Sequence, residues 1–143
     1  TPRLIGTCGT EKMSKSLGNA IFLSDSNKAI KKKVNKIVTS SRNVQDPGDI
    51  NNALFHLLDA FDPDAGYLKD LKVQYSLGGV GDGFIKSHLI TVLNDIITPI
   101  REKRSKITDE EVIHVIQKGT EKANIIANDT LYQMKRDMGI NYF

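Results

Sequence analysis

Tryptophan is absent from this chain, and all aromatic residues together make up only 6% of it. Any core must therefore rest on Ile, Leu and Val rather than on large rings. Cysteine occurs once, at Cys8. One thiol closes no internal disulfide, and without a Cys-x-x-Cys pair there is no thiolate zinc site or dithiol motif. The expectation is a reducing compartment, hence the cytoplasm. Long apolar runs are missing as well. Nothing approaches the roughly 18 residues that cross a bilayer, so no membrane partner is expected. The opening Thr1-Pro2-Arg3-Leu4-Ile5-Gly6 lacks both the apolar region of a signal peptide and an initiator Met. It reads as a cut into a longer protein, with Met removal before Thr as the alternative. Nor does either sign of charge dominate. Twenty Lys and Arg against 17 Asp and Glu leave +3, too little to establish a nucleic-acid partner, so clustering carries more information than the total.

What is present suffices for a folded unit. Apolar residues make up 39% of 143, enough for one domain, or for one domain plus a piece of another. Residues 1–24 stand apart, with three glycines, several hydroxyls and short apolar runs. They predict one or two short strands around a polar loop, belonging to a sheet built by upstream residues. From about Asp25 a helical period takes over. Ala29, Ile30, Val34, Ile37 and Val38 share one face, with Ser24 or Asp25 as cap. A loop through Ser40-Ser41-Arg42-Asn43 and Asp46-Pro47-Gly48 leads to a second helix, capped by Asp49, with Ile50, Leu54, Leu57, Leu58 and Phe61 on one side. Asp62-Pro63-Asp64 ends it and starts a third, with Tyr67, Leu68, Leu71 and Tyr75 inward.

After the glycine-rich turn at residues 78–83, a long helix is predicted from Asp82 to Ser105. Its stripe runs from Phe84 through Leu89 and Leu93 to Ile100, with a kink at Pro99. Thr108 and Glu111 spell a capping box that opens a last helical region to about Met138, which Gly119 is expected to divide. Gly139 suits the position after its end. The predicted fold class is mainly α: a small helical bundle attached to a fragment of an α/β domain.

Chemistry concentrates in Glu11-Lys12-Met13-Ser14-Lys15-Ser16-Leu17-Gly18-Asn19. Two lysines three residues apart, hydroxyls around them and glycines on both sides suit a polyphosphate, which ammonium groups and backbone amides hold together. A solvated basic turn has the same residue types. Lys12 to Ser16 spell KMSKS, which resembles the second signature of the class I aminoacyl-tRNA synthetases. The sequence beyond it looks like the tryptophanyl branch: Ser16-Leu17-Gly18-Asn19-Ala20-Ile21, Gly78-Gly79-Val80-Gly81-Asp82, Pro99-Ile100-Arg101-Glu102-Lys103-Arg104, Gly119-Thr120-Glu121-Lys122-Ala123 and the Thr130–Met138 end. The resemblance covers essentially the whole chain.

That resemblance implies residues 1–24 as the end of a Rossmann catalytic domain and residues 25–143 as a C-terminal helical, anticodon-binding domain. It implies ATP as substrate together with Mg2+, tryptophan and tRNA(Trp) as partners, and a homodimer. Lys12 and Lys15 are then the catalytic pair on the pyrophosphate part of ATP, with Lys15 the stronger. Ser14, Ser16 and the amides around Met13 complete the ATP site, and Gly9 and Gly18 let the loop move. Cys8 departs from the Asp often found before the motif and receives no role.

No His-x-Gly-His signature accompanies the loop, so the amino-acid pocket is expected upstream. His88 falls on an apolar helix face and reads as a packed histidine. His56 and His114 lie on helices without metal-like spacing, and no metal site is expected. Lys28, Lys31, Lys32, Lys33 and Lys36 crowd the first helix, and Arg101, Lys103, Arg104 and Lys106 form a second cluster; either could meet RNA phosphates or simply face water. A stand-alone helical RNA-binding module and the tyrosyl branch of the same class are the alternatives.

Overall fold

The computed structural model describes residues 3–39 and 43–140. Residues 40–42, part of the predicted first loop, lie outside them, as does the start at Thr1 and Pro2. The described residues form five helices: α1 (Asn27–Asn35), α2 (Ala53–Phe61), α3 (Ala65–Leu77), α4 (Asp82–Ser105) and α5 (Asp109–Asp137). The protein is mainly helical. Compactness divides the chain into two units, Thr1–Glu102 and Lys103–Phe143.

In the first unit, α1 to α4 bury one aliphatic core. Ile30, Val34 and Ile37 come from α1 and its exit, Leu54, Phe55, Leu57 and Leu58 from α2, Leu68, Leu71 and Tyr75 from α3, and Ile85, Leu89, Val92, Leu93 and Ile97 from α4. Two aromatics join it. Phe55 meets Tyr75 edge-on with centroids 5.0 Å apart. The Tyr75 hydroxyl escapes the apolar surroundings by donating to Asp82 Oδ1 at 2.7 Å, as a buried phenol requires. The α4 bounds are those predicted, and Pro99 lies inside the helix.

Several expectations need correction. Ser26, not Ser24 or Asp25, caps α1, accepting from the Ala29 amide at 3.2 Å. Asn52, not Asp49, caps α2, accepting from the Leu54 and Phe55 amides. Asp49 bends back one turn earlier, onto the Asn51 amide at 2.8 Å. That places Ile50 outside the core at 39% exposure and brings Phe55 fully inside. Val38, Tyr67 and Phe84, expected inward, are exposed. The N-terminal strands reduce to one antiparallel bridge between Ile5 and Lys12.

In the second unit, Thr108 and Glu111 form the predicted capping box. Gly119 does not divide the last helix: α5 runs unbroken from Asp109 to Asp137. One glycine costs about 1 kcal/mol against Ala, which does not suffice to end a capped helix of 29 residues. No residue of α5 is buried, although the sequence pattern placed this helix in the bundle.

Candidate functional site

The loop is built on the core of the first unit. Leu4, Ile5, Met13 and Ile21 pack against that core from the N-terminal segment. Around the Ile5–Lys12 bridge, the Gly6 amide donates to Glu11 O at 2.9 Å and the Met13 amide to Leu4 O at 2.8 Å. The chain then turns at residues 15–18, where the Gly18 amide donates to Lys15 O at 3.2 Å. Gly18 has φ +64° there, a left-handed backbone that favours glycine.

The alternation of this segment decides what faces water. Met13 is half-buried on the core, whereas Lys12, Lys15 and Ser16 are exposed. Neither lysine enters an ion pair among the described residues. The Ser14 and Ser16 hydroxyls lie 2.9 Å apart, so one position presents two adjacent hydroxyls. All five predicted site residues therefore sit on one short loop whose base is anchored and whose cations are free to meet a ligand. Among the described residues no group of three His, Cys, Asp or Glu side chains converges as a metal site would require.

Cys8 is exposed beside the loop base. Its thiol is lowered to about 7, first by the Thr10 backbone N–H, then by the Asn19 carboxamide and the Glu11 backbone N–H, all of which favour the thiolate. Cys8 alkylation by iodoacetamide is therefore expected to rise with pH around a midpoint near 7. An unperturbed thiol rises around pH ~8.5. A midpoint at that higher value, read by mass spectrometry across a pH series, contradicts this arrangement.

The basic clusters divide by their surroundings. Lys28, Lys31, Lys32 and Lys36 are exposed on α1. Lys33 instead pairs with Asp25 at 2.5 Å and lies 4.2 Å above the Phe22 ring. Arg101 donates to Asp25 O at 2.7 Å and to Asn27 Oδ1 at 2.8 Å. Both cations thus brace the connection between the loop segment and α1, a role that sequence spacing could not reveal, since Arg101 lies more than 70 residues from its partners. His88 is half-buried, with Nε2 2.6 Å from Asp62 Oδ2 and the Tyr67 ring edge-on at 5.0 Å. It links α4 to the end of α2. His56 and His114 are exposed on α2 and α5.

The loop thus presents exposed lysines and hydroxyls on a backbone packed against the helical core. The family model of class I tRNA synthetases for tryptophan and tyrosine matches residues 1–98, and the chain belongs to that family. Within it, the tryptophan–tRNA ligase of Streptococcus pyogenes serotype M1 is 41% identical over 99% of this chain. That of Lactococcus lactis is 43% identical over the same share. The chain spans 44% and 43% of those two proteins, less than half of their length. Among solved structures, tryptophanyl-tRNA synthetase from Campylobacter jejuni, complexed with ADP and tryptophan, superposes with a TM-score of 0.85 at 30% identity, over 97% of this chain and 44% of its own. The Giardia lamblia tryptophanyl-tRNA synthetase gives 0.68 at 30% identity, over 76% of this chain and 28% of its own. The similarity runs through the helices as well as the loop. The two alternatives drawn from sequence, a tyrosyl enzyme and a free-standing RNA-binding module, are not favoured.

Proposed function

We propose that this chain is the C-terminal part of a tryptophan–tRNA ligase, which activates tryptophan with ATP and transfers it to tRNA(Trp). In this reading residues 1–24 end a Rossmann catalytic domain and residues 25–143 form a helical domain of the anticodon-binding type. The complete enzyme works as a homodimer in the cytoplasm. The observation that carries the reading is the KMSKS loop at residues 12–16, with two exposed lysines on a core-anchored backbone, in a chain similar to tryptophan–tRNA ligases over 99% of its length.

The chemistry follows from the charge. A carboxylate oxygen of tryptophan attacks the α-phosphorus of ATP, the bond to the bridging oxygen breaks, and pyrophosphate leaves with the electron pair. Negative charge grows on the leaving phosphates. Cations and donors already fixed around them stabilise that charge more than they stabilise bound ATP. Lys15 and Lys12 supply the cations, and the Ser14 and Ser16 hydroxyls with the neighbouring amides supply the donors. ATP arrives as its Mg2+ complex. The loop brings only one carboxylate, the exposed Glu11, which fits a metal carried by phosphate oxygens rather than one held by this chain.

The test is a chimera. This chain replaces the matching part of the Streptococcus pyogenes ligase, and tryptophan-dependent exchange of pyrophosphate into ATP is measured. The chimera is expected to exchange, and the 143-residue chain alone is expected not to. A folded chimera without exchange removes the reading.

A further inference from the structure

Asn19 is the one buried polar residue among those described in the core, only 5% exposed. Buried carboxamides are costly unless their hydrogen-bonding groups are met, and this one is met on both sides. Its Oδ1 accepts from the Ser14 amide at 2.8 Å. Its Nδ2 donates to Lys12 O at 3.1 Å and to Cys8 Sγ at 3.2 Å. Its own carbonyl accepts from the Thr7 amide at 2.9 Å and the Thr7 hydroxyl at 3.3 Å. One side chain thus holds the peptide groups immediately before and after Met13, while the main chain of the same residue ties down the preceding turn.

Gly6 makes room for it. A Cβ at Gly6 would lie 2.3 Å from Asn19 Nδ2 and 2.4 Å from its Cγ, closer than atoms can approach. Glycine at position 6 and asparagine at position 19 are two parts of one device.

Resting on the reading of the loop given above, we propose that Asn19 is a positioning residue for adenylate formation. It fixes the backbone from Lys12 to Ser14, so that the two lysines and the Ser14 donor stand ready when charge moves onto pyrophosphate. It touches no substrate. Its contribution is to preorganisation, the component that a loop on a mobile base loses. Residues 15–18 form the turn between the clamp's two ends, Ser14 and Asn19.

Two variants test this. In the 143-residue chain, Asn19→Ala is expected to speed amide exchange at Ser14 roughly tenfold, the scale of one lost hydrogen bond. Exchange at the core amides of α4 should stay as in wild type; a merely structural role would move both. In the chimeric ligase, Asn19→Ala is expected to slow the first turnover of adenylate formation at least about tenfold at saturating substrates. The apparent affinities for ATP and tryptophan should stay within about threefold. Gly6→Ala, which expels the carboxamide without deleting it, should reproduce both effects.

Unchanged Ser14 exchange in Asn19→Ala overturns the clamp. So does a normal first turnover in Asn19→Ala beside a strongly impaired Lys15→Ala. If Lys15→Ala is itself normal, the loop reading fails and the inference falls with it. The comparison of the two variants therefore tells the failures apart.

Discussion

Replacing Lys15 by alanine in the ligase containing this chain is expected to lower the first-turnover rate of tryptophanyl-adenylate formation by about 100-fold or more. That corresponds to ~3 kcal/mol, the scale of one preorganised electrostatic partner removed from a transition state. Lys15 is exposed at the start of the turn at residues 15–18, directly after the pinned Ser14 amide, so its ammonium is open to a phosphate ligand on a held backbone. An interaction made mainly in the transition state depresses the rate and spares ground-state binding. The apparent affinity for ATP should therefore change far less than the rate, and that for tryptophan hardly at all. Lys12→Ala should act in the same direction but more weakly. A Lys15 that is only solvated predicts a change within about a factor of two, as for most surface substitutions. Stopped-flow measurement at saturating substrates separates the cases, and a normal first turnover eliminates the catalytic role.

The two lysines differ in how their backbone is held. The peptide of Lys12 is held twice, by the bridge to Ile5 and by Asn19 at its carbonyl. Lys15 lies beyond both restraints. Met13, between the two lysines, packs on the core and anchors the loop base.

How much of this was legible in the sequence varied with the range of the interactions. Helix α4 was read to the residue because its apolar stripe runs from Phe84 to Ile100 and nothing local competes with it. The capping box of α5 was equally legible, since its partners are three residues apart. The caps of α1 and α2 were not. Each helix is preceded by several side chains able to cap, and the choice falls to the register that seats Phe55 and Ile30 in the core. Asp25 and Asp49, the expected caps, spend their carboxylates on the Phe22 and Asn51 amides instead.

The candidate site at residues 12–16 was legible through its resemblance to the KMSKS signature, since its residue types alone also fit a solvated basic turn. The clamp that holds them was not. Asn19 reaches residues five to eleven positions away with no periodicity, and Gly6 announces nothing until its neighbour is seen. The stripe itself was read too broadly. Of its predicted members, Phe84, Ile96 and Ile100 are exposed while Leu89 and Leu93 are buried, because a single pattern cannot tell which edge of a wide face meets the core.

That distinction gives the largest expected effect on stability. Leu89 is completely buried on α4, within the core shared by all four helices of the first unit. Leu89→Ala removes a buried isobutyl group and leaves a cavity that helices packed from several directions cannot close. The cost is expected at roughly 2–5 kcal/mol. Against a typical domain stability of about 5–15 kcal/mol, that is a large share. For a unit of this size it lowers the melting temperature by on the order of 10–30 °C. In urea the midpoint should fall while the slope stays unchanged, since the surface exposed on unfolding barely differs.

Ile96 provides the internal control. It lies on the same helix and in the same predicted stripe but is 38% exposed, so Ile96→Ala should cost clearly less, on the order of 1 kcal/mol. Equal losses for the two variants would mean that α4 is rotated from the face assigned to it. A Leu89→Ala chain that melts with wild type would mean that the first unit is held together by something other than this core.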